Sequence, residues 1–379
     1  MDKNWITELY YTAMGIYKIP EQMGVRFRDE FMFVRNVLAR NEAPYVEHPA
    51  EEEIYRRIDG GQLLVVRGPK GDGISMAVRA ALVKKMLIDR AVVVDPIAAG
   101  DCLSDMAILS EVVDAVREAG REPIFYIDVS KPGHYPQRPW REDALYMPTG
   151  LEKFERTLDD LMAVFGNREV TTVVALSDDL YGTLRDKLKE HVAAEVGNGD
   201  VRFLREVAQV YSGCEEDVAA EVAEAAAKHD CGRAILTTLA SDWLAQRNCD
   251  QKAVAEALKA AEEKAKKFFV EYIWHTVLNE DRPYANLHAP LILLRHFEGP
   301  VPVEAAEEFL IGLGFEWYKV RNSTAVRWLA ARHCGLIEDA IKNAVETAMT
   351  KRIDEQPYTA LRRAMVDYYK HIKARGHLK

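Results

Sequence analysis

The sequence predicts an α/β protein in which a parallel sheet is followed by a mainly helical C-terminal half. Two observations predict this fold class. Short apolar runs alternate with helical patterns between residues 62 and 207, and beyond about Glu215 the strand-like runs give way to Ala-rich helical patterns. Most of the apolar runs are continuous, which is typical of strands buried on both faces of a parallel sheet. The alternation of strands and helices favours a doubly wound arrangement.

The predicted elements follow one another at regular spacing. A helix is expected in HPAEEEIYRRIDGG (48–61), because acids crowd its first turn, arginines lie in its last turn and two glycines end it. Five strands are expected after it: QLLVVR (62–67), AVVVDP (91–96), PIFYID (123–128), VTTVVALS (170–177) and VRFLREV (201–207).

The domain organisation is expected to have four parts. These are a helical N-terminal segment (1–47), the α/β domain (48–212), a helical lid (213–280) and a helical or winged-helix C-terminal domain (281–379). Residues 341–379 carry nine Lys/Arg against four Asp/Glu, a charge of about +5. This basic tail is either a solvated helical face or a contact for DNA, RNA or an acidic partner protein.

Composition and charge argue against several classes of protein. The chain has 379 residues, enough for two or three domains, and its net charge of −10 argues against a protein that coats nucleic acid. No apolar run approaches the roughly 20 residues of a membrane span. The polar start, MDKNWITELYYTAMGIYK, is unlike a signal peptide. The five cysteines are far apart and form no C-x-x-C motif, so a cytoplasmic location without zinc is expected.

The stretch GPKGDGIS (68–75) is one residue away from the phosphate-loop pattern G-x-x-x-x-G-K-[ST], with Ile74 in place of the lysine. In the intact pattern, backbone N–H groups and a helix N-terminus hold the β-phosphate, the lysine reaches the β- and γ-phosphates, and the hydroxyl binds Mg²⁺. The candidate nucleotide-binding residues are Gly68, Pro69, Lys70, Gly71, Asp72, Gly73, Ile74 and Ser75.

Two side chains of this turn leave alternatives open. Lys70 could turn inward and replace the missing lysine, although side chains at such positions usually point outward. Asp72 is also expected to point outward, because near a phosphate it would repel the ligand. The structural alternative is a glycine turn that joins strand to helix and binds nothing.

Three residues further along extend the candidate site. Asp128 ends PIFYID, where it could hold Mg²⁺ together with Ser75, but the next residue is Val129 instead of the glutamate that would polarise an attacking water. Asp178, or the neighbouring Ser177, ends the next strand and could orient that water. Arg233 begins a helix in CGRAILTTLA and could reach the phosphates.

This order of motifs resembles the AAA+ branch of the P-loop ATPases. It is most similar to the archaeal AAA+/STAND-type ATPases and, in LSDDL and GRAIL, to the Orc/Cdc6-like initiators, over about residues 48–250 and more loosely over 284–379. The resemblance implies a C-terminal winged helix and these roles: phosphate loop for Gly68, Gly71, Gly73 and Ser75, Mg²⁺-side acid for Asp128, first sensor for Asp178 and second sensor for Arg233.

The departures from that family pattern fall on the catalytic parts. Backbone donors can still bind a nucleotide, whereas hydrolysis needs electrostatic stabilisation and a positioned water. We therefore expect ATP or ADP binding with Mg²⁺ and weak or absent hydrolysis, in a regulatory switch or scaffold. One alternative is a non-enzymatic nucleic-acid or protein interaction module with a vestigial P-loop. The other is an active ATPase rescued by Lys70 or by a partner subunit. An oligomer is possible under any of these interpretations.

A long loop and a pair of histidines give weaker evidence about function. The loop 131–150 is Pro-rich and aromatic, and a loop of this length is often functional, although it could be an insertion without a role. His288 and His296 lie eight residues apart without a third ligand, so no metal site is expected there.

Overall fold

Five parallel strands form one sheet in the described part of the chain, in the order β2-β3-β4-β1-β5. The computed structural model describes residues 46–89, 91–94, 106–118, 120–128, 151–166, 168–197, 200–273, 303–312, 314–320, 326, 328, 333–341 and 343. The strands are β1 (Leu63–Gly68), β2 (Val92–Val94), β3 (Pro123–Asp128), β4 (Thr171–Ser177) and β5 (Val192–Glu195). The predicted α/β class with a parallel sheet is confirmed.

Helices connect the strands and follow the last one. The first five are α1 (Glu51–Arg57), α2 (Ile74–Ile88), α3 (Met106–Glu118), α4 (Leu151–Phe165) and α5 (Asp178–Leu188). After β5 come α6 (Val201–Ser212), α7 (Glu216–Ala226), α8 (Arg233–Ala245), α9 (Val254–Tyr272), α10 (Val303–Gly312) and α11 (Trp317–Val320). Within the described residues, no helix is both long enough and apolar enough to cross a bilayer.

Four of the five strand predictions are confirmed, and the fifth is wrong. VRFLREV lies in helix α6, which Asp200 caps by accepting a hydrogen bond from the Arg202 N–H at 2.9 Å. Its apolar residues recur every three to four positions, which is the period of a helix face. The fifth strand is the short Val192–Glu195, which escaped notice because two alanines give it little strand character.

The core lies against both faces of the sheet. Every residue of β3 and of β4 is buried, in agreement with their continuous apolar sequences. Helix α2 places Ala77, Val78 and Leu82 in the same core, fully buried. This packing holds the N-terminal end of α2 at the end of β1, where the glycine turn lies.

Helices α6, α7 and α8 pack against one another. A disulfide joins Cys214, just after α6, to Cys249, in the segment after α8. The spacing of the cysteines does not predict this pair, because its members are 35 positions apart in the sequence.

The chain divides into two compact units, residues 1–265 and residues 266–379. In the second unit, α10 and α11 are described, together with the end of α9 and the residues 326, 328, 333–341 and 343, of which Trp328 is fully buried. The helical N-terminal segment, Val129, the loop 131–150, His288, His296 and nearly all of the basic tail lie outside the described residues. The winged helix and the three boundaries between the four predicted parts therefore stay predictions.

Candidate nucleotide site

The turn between β1 and α2 has the backbone shape that its glycines allow. Gly71 and Gly73 have φ angles of +84° and +95°, in the region that favours glycine. Gly73 is the N-cap of α2, and no side chain caps that helix. Gly68 is needed for another reason, since a Cβ there would lie 2.2 Å from the carbonyl oxygen of Val196. The predicted order of strand, glycine turn and helix is therefore present.

The strand register gathers the candidate residues at one edge of the sheet. Gly68 pairs with Ser177 and Asp128 pairs with Ala175, so β1, β3 and β4 end together. Asp178 follows directly as the first residue of α5. In parallel sheets, ligands bind outside this carboxyl edge.

Asp128 is held there by a buried arginine. A guanidinium nitrogen of Arg79 donates to Oδ2 of Asp128 at 3.0 Å, and both side chains are 1% exposed. The Tyr126 hydroxyl donates to Oδ2 at 2.9 Å, and the Ser75 hydroxyl donates to Oδ1 at 3.2 Å. Burial, with the Asp128 charge, raises the pKa of Tyr126 far above its usual value, so the phenol keeps its proton.

This arrangement does not fit a magnesium ion. Both carboxylate oxygens of Asp128 already accept hydrogen bonds, and Arg79 supplies the positive charge that a metal would bring. Mg²⁺ requires near-octahedral oxygen ligands at about 2.0–2.1 Å, so it would have to displace the guanidinium. The structure brings the predicted ligands Ser75 and Asp128 together, but it places a cation of the chain beside them.

Sequence reasoning missed Arg79. The signal was present in SMAVRAAL, where a charged residue interrupts the small and apolar face of a helix, four residues after Ser75. Residues four apart lie on one face of a helix, so Arg79 could have been expected near the same acid as Ser75.

Asp72 does not point outward, which corrects the prediction. Its side chain is 2% exposed and bonds to Arg233 at the start of α8. Burial raises the pKa of Asp72 to about 6, against the opposing effect of the Arg233 charge. Lys70 is also buried, at 4% exposure, so the outward orientation expected for it is wrong as well.

Asp178, the predicted first sensor, is paired with Arg67. A guanidinium nitrogen of Arg67 donates to Oδ1 of Asp178 at 2.7 Å, and the same guanidinium bonds Glu195 on β5. It also lies over the Tyr181 ring, 4.7 Å from the centroid. Burial raises the pKa of Asp178, and the Arg67 charge opposes that shift.

A cavity of about 290 Å³ lies beside the turn. Its lining includes His48, Asp72, Gly197, Phe203 and Arg233. The His48 ring packs edge-on against Phe203 at 4.6 Å, and its Nδ1 accepts from the Ala50 N–H at 3.1 Å. Burial lowers the pKa of His48 to about 4, so the ring is neutral at pH 7.

The predicted residues therefore do meet, but in internal pairs. Three further residues of the candidate site were not predicted from the sequence: Arg67, Arg79 and His48. The first two each carry a charge that lies opposite a predicted acid.

Comparisons with known proteins give similarity to solved structures alone. No family model matches the chain, and no curated protein matches it. A structure of the Hsp104:casein complex of S. cerevisiae matches with a TM-score of 0.41 and 12% identity, over 78% of this chain and 52% of the other. The chain thus spans about half of that Hsp104 chain.

Two ORC structures are also similar. The ORC2 protein of Aeropyrum pernix, in ADPNP and ADP complexes, matches with a TM-score of 0.40 and 11% identity, over 87% of this chain and 97% of the other. Drosophila ORC bound to DNA matches with a TM-score of 0.31 and 13% identity, over 97% and 85%. Because these TM-scores are below 0.5, we assign the fold from the strand order and the parallel pairing.

Proposed function

We propose that this chain is a regulatory P-loop protein that binds a nucleotide at the glycine turn and does not hydrolyse it. The observation that carries the proposal is the buried contact between Arg79 and Asp128. The acid that would hold the catalytic metal is already neutralised by a cation of the chain. The chain keeps the fold of a P-loop protein, but it lacks the metal-held charge that would stabilise the transition state of hydrolysis.

Two further features support the absence of hydrolysis. Ile74 is apolar and 3% exposed, so it offers no charge to the β- and γ-phosphates. Asp178 is bonded to Arg67, which fixes the side chain that would orient the attacking water. Phosphoryl transfer depends almost entirely on positioning and on charge stabilisation, so these changes remove its main contributions.

Nucleotide binding is supported by the backbone. The turn keeps Gly71 and Gly73 in left-handed conformations, and the 15-residue helix α2 begins directly after it. The N–H groups of a first helical turn have no intrahelical partners, and they attract phosphate. The adjoining cavity gives the rest of a nucleotide a place to lie.

The test is a titration of the full chain with ATP and with ADP, in Mg²⁺ and in EDTA, reading melting temperature and released phosphate. We expect a saturable rise in melting temperature that EDTA does not abolish, and no phosphate. Phosphate release that depends on Mg²⁺ would contradict the proposal. If turnover were seen, Lys70→Ala would decide whether Lys70 replaces the missing lysine.

A matched pair of glycine variants connects binding to the turn. We expect Gly73→Ala to weaken nucleotide binding about tenfold or more. A residue with a Cβ atom is strained at φ +95°, so the first turn of α2 must shift. Gly60→Ala is the control, since Gly60 also has a positive φ, +76°, and a Cβ there meets nothing within 4 Å. Equal effects of the two changes would show that general loss of stability, and not the turn, is responsible.

A second candidate is an interaction module in which the P-loop is vestigial. The contact between Asp72 and Arg233 favours it, because a carboxylate of the chain lies against the arginine that a phosphate would use. An unchanged melting temperature at millimolar nucleotide would support this candidate. Contact with DNA or a partner protein through the C-terminal domain and the basic tail is a prediction of this candidate. An oligomeric state and a cytoplasmic location stay predictions under either candidate. Deleting residues 341–379 without losing salt-sensitive DNA binding would contradict the tail contact.

A further inference from the structure

Asp72 belongs to the turn between β1 and α2, but its carboxylate is bonded to helix α8. Its Oδ1 accepts from the Arg233 backbone N–H at 2.7 Å. Its Oδ2 accepts from Nε of Arg233 at 2.8 Å and lies 2.7 Å from a terminal guanidinium nitrogen. A nearly fully buried carboxylate with three donors from one residue is held in one position.

Two main-chain hydrogen bonds join the same segments. The Gly232 N–H donates to the Lys70 carbonyl at 2.7 Å, and the Ile235 N–H donates to the Gly71 carbonyl at 3.0 Å. Three successive residues of the turn therefore accept hydrogen bonds from the start of α8. The contact is a continuous seam between turn and helix, and the Asp72 side chain is its charged part.

These donors are of the kind that binds phosphate. A guanidinium and the N–H groups of a helix N-terminus together favour an anion, and α8 is a helix of 13 residues. In this chain an anion is already there, since the Asp72 carboxylate takes one backbone N–H of the first turn of α8 and two guanidinium nitrogens.

We propose that Asp72 is a built-in anion which occupies Arg233 and the first turn of α8, so that a nucleotide phosphate reaches Arg233 only by displacing it. The inference rests on the proposed function, because it describes how access to that same turn is controlled. Two anions that share one guanidinium repel each other, so nucleotide and Asp72 compete for Arg233. A nucleotide that wins the competition loosens α8 from the turn, which is the movement a switch needs.

The residues around Asp72 restrict the position of its carboxylate. A Cβ at Gly197 would lie 2.5 Å from Oδ2 of Asp72, so glycine at position 197 is what leaves room for the carboxylate. The cavity begins beside the pair and has Asp72 and Arg233 in its lining, so a ligand can approach Arg233 from there. Asp59 is an exposed acid that does not belong to this lining, which makes it a suitable control for loss of a negative charge.

The experiment measures ADP affinity of the full chain by calorimetry in EDTA, for the wild type, D72N, R233Q, D72N/R233Q and D59N. We expect D72N to bind ADP about tenfold more tightly than the wild type, since it keeps the shape of Asp72 and removes the charge. The double variant should lose that gain, because Arg233 is the group that Asp72 releases. D59N should bind like the wild type. D72S, which also lacks the charge, replaces D72N if D72N does not fold.

The outcomes separate this inference from the proposed function. Equal ADP affinity of the wild type and D72N would keep the proposed function and overturn the inference. A gain in D59N as large as in D72N would also overturn it, because the net charge of the chain would then be the cause. Absence of ADP binding in every variant would overturn both. Tighter binding by D72N that R233Q abolishes would support both.

Discussion

Replacing Arg79 by methionine is expected to lower the free energy of unfolding by about 3–5 kcal/mol. The change leaves the Asp128 carboxylate buried without the guanidinium that now bonds it at 3.0 Å. Removing one partner of a buried ion pair is costly because the remaining carboxylate stays out of water and loses the charge of the guanidinium. Urea unfolding of the full chain measures the loss.

Arg56→Met is the matched control, because it removes an arginine from an exposed pair. The Arg56 and Glu52 side chains are 73% and 48% exposed, and we expect a loss below about 1 kcal/mol. The double variant R79M/D128N should recover part of the loss of R79M, since asparagine carries no charge. Its amide can still accept from one of the Ser75 and Tyr126 hydroxyls and donate to the other. A loss for R79M no larger than for R56M would contradict the role given to the buried pair.

The same position tests the misfit of magnesium. In Arg79→Ala, Asp128 and Ser75 lose the cation that occupies their neighbourhood, so Mg²⁺ is expected to raise the melting temperature of this variant more than that of the wild type. The measurement is thermal unfolding with 10-fold steps of MgCl₂, with CaCl₂ as the control ion. If MgCl₂ raised the melting temperature of the wild type as much as that of the variant, Arg79 would not be taking the place of a metal.

The second large effect is a pair of opposing pH dependences at the turn. His48 has its pKa lowered from 6.5 to about 4 by burial, so the unfolded chain binds this proton more tightly and stability falls as the pH drops from 6.5 to 4. Asp72 has its pKa raised from 3.8 to about 6 by burial, so the folded chain binds that proton more tightly and stability rises as the pH drops from 6 to 3.8. Each group contributes about 1.4 kcal/mol per pH unit in its window.

Between pH 6 and pH 4 the two contributions nearly cancel in the wild type, and single variants should separate them. On acidification, we expect the free energy of unfolding of D72N to fall by about 1.4 kcal/mol more per pH unit than that of the wild type, because only the contribution of His48 remains. H48Q should gain by about the same slope relative to the wild type. Urea unfolding at pH 4, 5 and 6 measures these slopes, and Asp59→Asn, at an exposed position, controls for net charge. Parallel curves for all four proteins would contradict both pKa shifts.

The fold was predictable where local pattern and burial agree. The continuous apolar runs of β1, β3 and β4 favour strands in a sheet covered on both faces, and they lie in such a sheet. The misplaced strand was VRFLREV, in which a helical period was read as a short apolar run. The short strand β5 pairs with β1 at the end of the order, and only that pairing makes Val192–Glu195 a strand.

The sequence by itself determined the glycine turn, the strand that enters it, and the loss of the lysine and the glutamate, because these depend on residue type and local spacing. Only the tertiary structure decided what the remaining charged residues do. Asp72 and Arg233 are 161 residues apart, and Asp128 and Arg79 are 49 apart. Whether such a residue faces a ligand or another side chain depends on which elements the fold brings together. In this chain the parallel register and the packing of α2 and α8 bring opposite charges into contact, and burial makes those contacts strong.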